Sequence, residues 1–344
     1  MKRALTAMIV VAMLIAVAPP LFAGGGNRTG TAGANELLIP VGTRDIAMGG
    51  ATISTTSGID ALYWNPAAVA KMTNSAALYV SHMSYIADIG VDYGAVSANF
   101  EGFGVLSFSL KSLSVGDIPV TTTRDPDGTG QTFSPQFFTA GLSYSRALSD
   151  RIAVGFTTNL ISERLGDVSA TGFAFNVGLV YDNLANLEGL SFGVVVRNVG
   201  PQMTFDGSGL LNQASVTGQN RPPQLYSVQA ASFELPSSIE FGVGYKRYFG
   251  GENSVLLSTS YLSNNFSDDE YKLGAEYAFQ DLLFVRAGYN LSQKTASDQE
   301  YLFGPTFGAG VRYALGSLDV SFDYAFRSMK VFDNSHVFSV RLGF

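Results

Sequence analysis

Residues 317–327 read Ser317-Leu318-Asp319-Val320-Ser321-Phe322-Asp323-Tyr324-Ala325-Phe326-Arg327, and the alternation in this stretch decides the fold. Successive side chains of a strand point to opposite faces, so Leu318, Val320, Phe322, Tyr324 and Phe326 share one face. Asp319, Ser321, Asp323 and Arg327 share the other. The last residues repeat the pattern, with Phe338, Val340, Leu342 and Phe344 against Ser339 and Arg341. Upstream, Tyr271, Leu273, Ala275, Tyr277 and Phe279 oppose Lys272, Gly274 and Glu276, and Phe307, Ala309, Val311 and Tyr313 oppose Gly308, Gly310 and Arg312. Each strand has an oily face and a charged or very small one. A soluble sandwich has no use for rows of buried Asp, Arg, Lys and Glu on strand after strand.

Working outward, this pattern recurs in fourteen segments: 75–83, 92–100, 103–112, 136–147, 151–163, 169–182, 189–199, 237–248, 254–263, 269–279, 282–292, 305–315, 317–327 and 335–344. An even number of period-two strands, joined by connectors that switch between tight and long, predicts a transmembrane antiparallel β-barrel. In lipid every backbone N–H and C=O has to be paired, so the sheet must close. The tight connectors, such as 101–102, 250–253 and 280–281, predict the periplasmic end. The long ones, such as 113–135 and 200–236, predict the exterior, which places both termini in the periplasm. The seven strands running toward the tight end finish on an aromatic in the oily phase: Phe100, Tyr144, Tyr181, Tyr245, Tyr277, Tyr313 and Phe344. That is the aromatic belt of a membrane interface.

Composition agrees. Only 14% of the 344 residues are charged, against about 25% in ordinary globular chains. With 46% hydrophobic residues and 38 glycines, the missing charge has become small and aromatic residues. Residues 1–23 read as a signal peptide. Lys2 and Arg3 precede an uncharged stretch from Ala7 to Ala18, too short to span a bilayer as a helix, which needs about 20 residues. Removing both basic residues takes the formal charge from −7 to −9 (−7 − 2). With no basic cluster, nucleic acid is excluded as a partner. Zero cysteines exclude disulfides, thiolate metal sites and cysteine nucleophiles.

Residues 24–74 lack the alternation, and the barrel proper occupies 75–344. Short helical turns are expected at Thr43–Met48 and Gly58–Trp64, with Asn65-Pro66 breaking the second. A barrel of fourteen strands is wider than its own side chains fill, so this mildly apolar segment is expected to be a hatch in the lumen.

Arg44, Met48-Gly49-Gly50-Ala51, Asp60-Ala61 and Trp64-Asn65-Pro66-Ala67 together resemble the N-terminal signature of FadL-like outer-membrane barrels, in the PorV/PorQ branch. The likeness continues through Ser84–Asp88, Val120–Gly130, Gly141–Arg146 and Arg197–Gly200. It implies a fourteen-strand barrel with an N-terminal hatch in which Arg44, Met48, Gly49, Asp60, Trp64, Asn65, Pro66 and Ala67 form the hatch motif. It also implies a role in type IX protein secretion, receiving cargo at the outer membrane. The alternative is a FadL-like channel for long-chain fatty acids or other hydrophobic compounds, and a structural or adhesive role is a third class.

Catalysis is not expected. The two histidines, His82 and His336, open or close neighbouring strands and could approach one another, but no nucleophile elbow accompanies them. No metal or cofactor site is read from them. Asp125-Pro126-Asp127-Gly128 reads as a turn rather than a calcium loop. The lumenal charges Glu240, Lys246, Lys272, Glu276, Arg286, Arg312, Asp319 and Asp323, together with Arg327, are of mixed sign and predict an internal ion-pair network holding the hatch. The loop 200–236, with Leu210, Leu211, Pro222, Leu225, Tyr226 and Phe233, is more apolar than a solvating loop needs and is expected to be the surface for a protein partner or greasy ligand.

Overall fold

A computed structural model of the chain describes residues 28, 30–214, 222–292 and 301–344. The signal-peptide reading at 1–23 lies outside the described residues. Fourteen strands form a closed antiparallel barrel: β1 (Ala76–Ser84), β2 (Gly90–Phe100), β3 (Gly104–Ser114), β4 (Gln136–Ala147), β5 (Ile152–Leu165), β6 (Val168–Asp182), β7 (Leu190–Val199), β8 (Ser238–Phe249), β9 (Asn253–Asn264), β10 (Glu270–Phe279), β11 (Leu283–Ser292), β12 (Phe303–Leu315), β13 (Leu318–Met329) and β14 (Ser335–Gly343). Each strand pairs with its neighbours in sequence, and β1 closes on β14 through Val80↔Val340 and Ser81↔Ser339. Among the described residues no helix is long and apolar enough to cross a membrane, so any crossing is made by strands.

The exposure pattern follows the alternation. In β6, residues Phe173, Phe175, Val177 and Leu179 are exposed while Ala174, Asn176, Gly178 and Val180 are buried. The exposed face is the oily one, which is the arrangement of a wall solvated by lipid. The ladder runs without interruption except at β6–β7, between Phe175 and Val177, and at β12–β13, between Phe303 and Thr306. At the first irregularity Asn198, at φ 57°, turns its N–H to Asn176 Oδ1 at 2.8 Å and its side-chain amide to Pro236 O at 3.2 Å. The gap in the ladder is thereby filled with hydrogen bonds.

Two loops carry two-stranded hairpins that the alternation did not signal, Ile118–Pro119 with Thr132–Phe133 and Leu211–Ala214 with Gln224–Ser227. The Asp125–Gly128 stretch is a turn, with Gly128 N–H donating to Asp125 O at 3.2 Å.

The segment before the barrel fills the lumen. It contains a 3-10 turn (Asn35–Leu38), α1 (Thr43–Ala47), a 3-10 turn (Gly58–Asp60), α2 (Ala61–Trp64) and a 3-10 turn (Pro66–Lys71). Asn65-Pro66 does interrupt helix, as proline requires, but only to restart it. Asn65 is extended and its side chain caps the following turn, accepting from Ala67 N–H at 3.1 Å. The hatch also crosses the barrel from one mouth to the other. Asn74 sits beside Gly343 at the short-turn end. Arg28 pairs with Glu234 at 2.9 Å and lies over the ring of Phe266, both at the long-loop end. By residue 28 the chain stands at the long-loop end, because the hatch traverses the lumen; residues 1–27, and with them the expected periplasmic N-terminus, lie outside the described residues.

Candidate functional site

Hatch and wall meet at a junction that glycine builds. Wall glycines oppose one another across neighbouring strands: Gly155↔Gly178, Gly193↔Gly242 and Gly274↔Gly288. Each pair opens a window into which hatch backbone fits. A Cβ at Gly155 would overlap the Pro66 carbonyl, and one at Gly193 would lie 2.6 Å from Ile53 O. One at Gly274 would lie 2.6 Å from Met48 O, and one at Gly288 would overlap Met48 and Gly49. Hatch main chain therefore meets wall main chain with no side chains between, which leaves no continuous path at these positions. From sequence, Gly274, Gly308 and Gly310 were read as small inner-face residues, and Gly308 does make room for Ala47, but the paired windows were missed. The signal was available: glycine recurs at lumen-facing positions of successive strands.

The hatch motif divides by task. Gly49 and Gly50 have φ of 65° and 73°, a left-handed backbone that glycine adopts freely. Their N–H groups close α1 onto Ile46 O at 3.0 Å and Asp45 O at 2.8 Å. The fully buried Met48 follows α1. Trp64 donates from Nε1 to Val41 O at 2.8 Å and packs over Gly50, where a Cβ would come within 2.7 Å of its ring. Asn65 donates to Ile53 O at 2.8 Å and Leu179 O at 3.2 Å, joining two parts of the hatch to β6. Pro66 accepts from Ser145 Oγ at 2.6 Å, and Ala67 is fully buried beside it.

Charge ties the same contacts. Arg44 forks onto both oxygens of Glu276 at 3.0 Å each, Arg286 reaches Glu276 at 2.6 Å, and Arg286 continues to Asp323 at 2.5 Å. Asp60 pairs with Arg341, and Lys71 with Asp182 at 2.7 Å. Glu240 is fully buried, with Arg197 at 2.8 Å and Lys272 at 3.3 Å. Arg197 in turn donates to Trp64 O at 2.7 Å. Arg312 pairs with Asp319 within β12–β13 at 2.5 Å, so this pair braces the wall and not the hatch. Arg327 lies 3.4 Å over the Phe303 ring, and Lys246 4.8 Å over the Tyr248 ring. In the hatch itself, burial pushes the Asp45 carboxyl up to about 7 despite the neighbouring Arg44.

Two chambers flank the hatch. The one toward the long loops, about 380 Å³, is lined by Trp64, Tyr85, Arg197, Lys272, Phe303 and Arg327 among others. The one toward the short turns, about 250 Å³, holds Arg44, Asp60, Lys246, Arg286 and Arg312. Among the described residues no three His, Asp or Glu groups are placed to hold a metal ion.

The long loop 200–236 does two things. Its base turns inward: Met203 and Leu235 are buried against Ala34, Leu37, Ile161 and Ala174. Phe233, expected on the partner surface, belongs to this base, its ring tilted against Phe205 with centroids 5.5 Å apart and pressed against Gly33. Leu210 is half-buried. The tip turns outward, with Leu211, Pro222, Leu225, Tyr226 and Val228 exposed, Leu225 at 68%. The separation follows from the hairpin, which lifts the tip away from the lumen while the Met203–Phe233 bridge holds the base down. The two histidines do not meet. His82 pairs with Asp92 at 2.7 Å and His336 with Tyr324 at 2.9 Å, because β1 and β14 register His82 opposite Phe338.

A closed fourteen-strand wall, oily outside and stopped by its own N-terminal segment, defines a hatch-bearing outer-membrane barrel of the transport and secretion class. Residues 23–219 match the family described as "Type IX secretion system protein PorV". The chain belongs to that family. Its fold is shared with the monoaromatic hydrocarbon channel CymD, at 15% identity and TM-score 0.56 over 89% of this chain and 98% of that one. The toluene transporter TbuX of Ralstonia pickettii matches at 15% identity and TM-score 0.55 over 88% and 98%. A FadL homologue of Pseudomonas aeruginosa matches at 14% and 0.52 over 88% and 98%. No curated protein sequence matches the chain.

Proposed function

We propose that this barrel is a non-enzymatic accessory of protein export that receives secreted cargo, or another secretion component, at the cell surface. The long loops then face outward and Phe344 faces the periplasm, as is usual for such barrels. One observation carries the reading: the lumen is stopped by backbone-to-backbone contact at Gly155, Gly193, Gly274 and Gly288, whereas exposed apolar surface rises from the opposite rim at Leu211, Leu225, Tyr226 and Val228. A plugged barrel with a greasy rim has its working surface on the rim.

Deleting the gene is expected to leave cargo proteins stranded in the periplasm, and Leu225→Asp with Tyr226→Asp to reproduce that loss in a barrel that still folds. Normal secretion in both strains would remove the proposal.

A second reading, a conduit for hydrophobic compounds, is favoured by the break in the β6–β7 ladder beside the hatch. It predicts that the same deletion impairs growth on a hydrophobic carbon source while secretion continues.

A further inference from the structure

One buried cation of the lumen stands apart from the ion-pair network. Among the described residues Arg44, Arg197, Arg286, Arg312 and Arg341 each pair with a carboxylate. Arg327, on the inner face of β13 and only 7% exposed, pairs with none among the described residues, and its Nη1 has no hydrogen-bond partner. The guanidinium lies 3.4 Å over the Phe303 ring. A ring against its face holds a guanidinium flat, and the N–H edge stays available for a two-pronged grip on a carboxylate. A charge buried this deeply is costly unless an opposite charge and hydrogen bonds meet it.

Arg327 lines the chamber of about 380 Å³ toward the long loops. The other two cations of that lining are held by Glu240, Arg197 at 2.8 Å and Lys272 at 3.3 Å. Glu270 is the one acidic residue among the described lining, and it forms no ion pair with Arg327. Three cations thus meet two carboxylates, which leaves the chamber positive. Its polar lining also selects against a hydrocarbon tail. Uncharged polar side chains enter from the arm and from β7 to β11: Asn35, Asn198, Ser238, Asn264, Ser267 and Asn290. Asn290 Oδ1 is buried and accepts no hydrogen bond from a described group. An alkyl chain would strip water from such groups and offer no hydrogen bond in return. A peptide brings N–H and C=O groups of its own, and Ile39, Tyr85 and Leu262 give apolar surface for its flanking side chains.

We propose that this chamber receives one acidic residue of an extended peptide, its carboxylate forked onto the free edge of Arg327 while the backbone on either side bonds the asparagines and serines. The assignment rests on the reading of the barrel as a receiver of cargo and gives that cargo a chemistry. The exposed rim at Leu225 and Tyr226 meets the partner's apolar surface, and the chamber below selects for a carboxylate.

The test uses the full mature chain, purified in detergent and titrated with a blocked seven-residue peptide of serine, glycine and leucine bearing one central glutamate. Emission from Trp64, the chain's single tryptophan and part of the chamber lining, reports binding. The expected result is a dissociation constant about tenfold lower than for the glutamine counterpart, the scale of one charge-assisted hydrogen bond. Arg327→Gln should remove that preference, and Arg327→Lys, which keeps the charge but not the fork, should restore part of it. The glutamine peptide with a free terminal carboxylate should bind no better than its blocked form, and dodecanoate should bind more weakly than the glutamate peptide. The comparison of peptides on the unaltered chain needs no variant, so a misfolded Arg327→Gln leaves the test intact. Equal affinity for the two blocked peptides, a preference that survives Arg327→Gln in a folded barrel, or tightest binding by the free chain end or by dodecanoate would each overturn the assignment. Peptide preference without a secretion defect on gene deletion would remove the cargo reading and leave the site. A secretion defect without peptide preference would do the reverse.

Discussion

The lower and upper parts of the hatch are held by different physics. From Thr43 to Lys71 the segment is keyed into glycine windows and clamped by buried ion pairs such as Arg44–Glu276 and Asp60–Arg341. From Arg28 to Pro40 it is an arm at the loop mouth. It rests on an apolar patch of Ile161, Ala174 and Met203, and Lys111 bridges its Glu36 and Ile39 carbonyls at 2.7 Å and 3.2 Å. Its outermost tie, Arg28–Glu234, is nearly half exposed and so contributes little. The comparison separates a stopper, which fails only if the wall changes shape, from an arm that can loosen without unsealing the lumen.

Glu240→Ala attacks the stopper hardest. It leaves Arg197 and Lys272 buried without their carboxylate, a loss of about 3–5 kcal/mol for a broken buried ion pair. Urea unfolding followed through Trp64 emission should show it, and an unchanged midpoint would contradict the clamp. Next is Gly155→Val, whose side chain must displace Pro66 and should cost about 1–3 kcal/mol as an overpacked core does. Here Trp64 emission should shift red in the folded barrel, and a wild-type spectrum would mean that the window is not filled. Lys111→Met should cost about 1.5 kcal/mol, the scale of hydrogen bonds from a charged group. Protease cleavage in the Arg28–Pro40 arm should rise while Trp64 emission stays put, and joint movement of both probes would erase the distinction between stopper and arm.

A separate test is a pH dependence. Asp45 in α1 holds its proton up to about 7, above the ordinary carboxylate value near 4. The folded state therefore binds more protons than the unfolded chain between these values, so hatch stability is highest below about 4 and falls as pH rises through 7. Asp45→Asn should remove that slope, and parallel slopes in variant and wild type would mean that another group titrates.

The wall was legible in sequence because a barrel strand must alternate along its whole lipid-facing length. Even the errors in extent are physical. β3, β5 and β13 each run two residues further toward the loops than the alternation suggested, to Ser114, Leu165 and Met329. Beyond the bilayer the outer face no longer has to be oily, so the ladder continues after the pattern has faded. The contacts between hatch and wall were not legible. Arg341 and Asp60 are 281 positions apart, and no periodicity links them. The residue types were visible, as mixed-sign lumen charges, but their pairing is fixed by where the hatch lies in the barrel. Phe233 shows the same gap: apolar composition marked the loop 200–236 as a partner surface, yet one end of it serves the protein's own interior.

The path of the N-terminal segment also constrains how the molecule is assembled. By Arg28 the polypeptide is at one mouth, and by Asn74 it has emerged at the other. A finished cylinder could acquire such an insert only by pulling a free end through its whole bore, past a succession of snug apertures. Wrapping is the simpler order: the sheet curls around a segment already lying across it, and the join between the first and last staves is made after everything else. A bulky folded tag ahead of that leading segment could not pass such apertures, so under wrapping the tagged chain should still close, and its failure to close would favour threading.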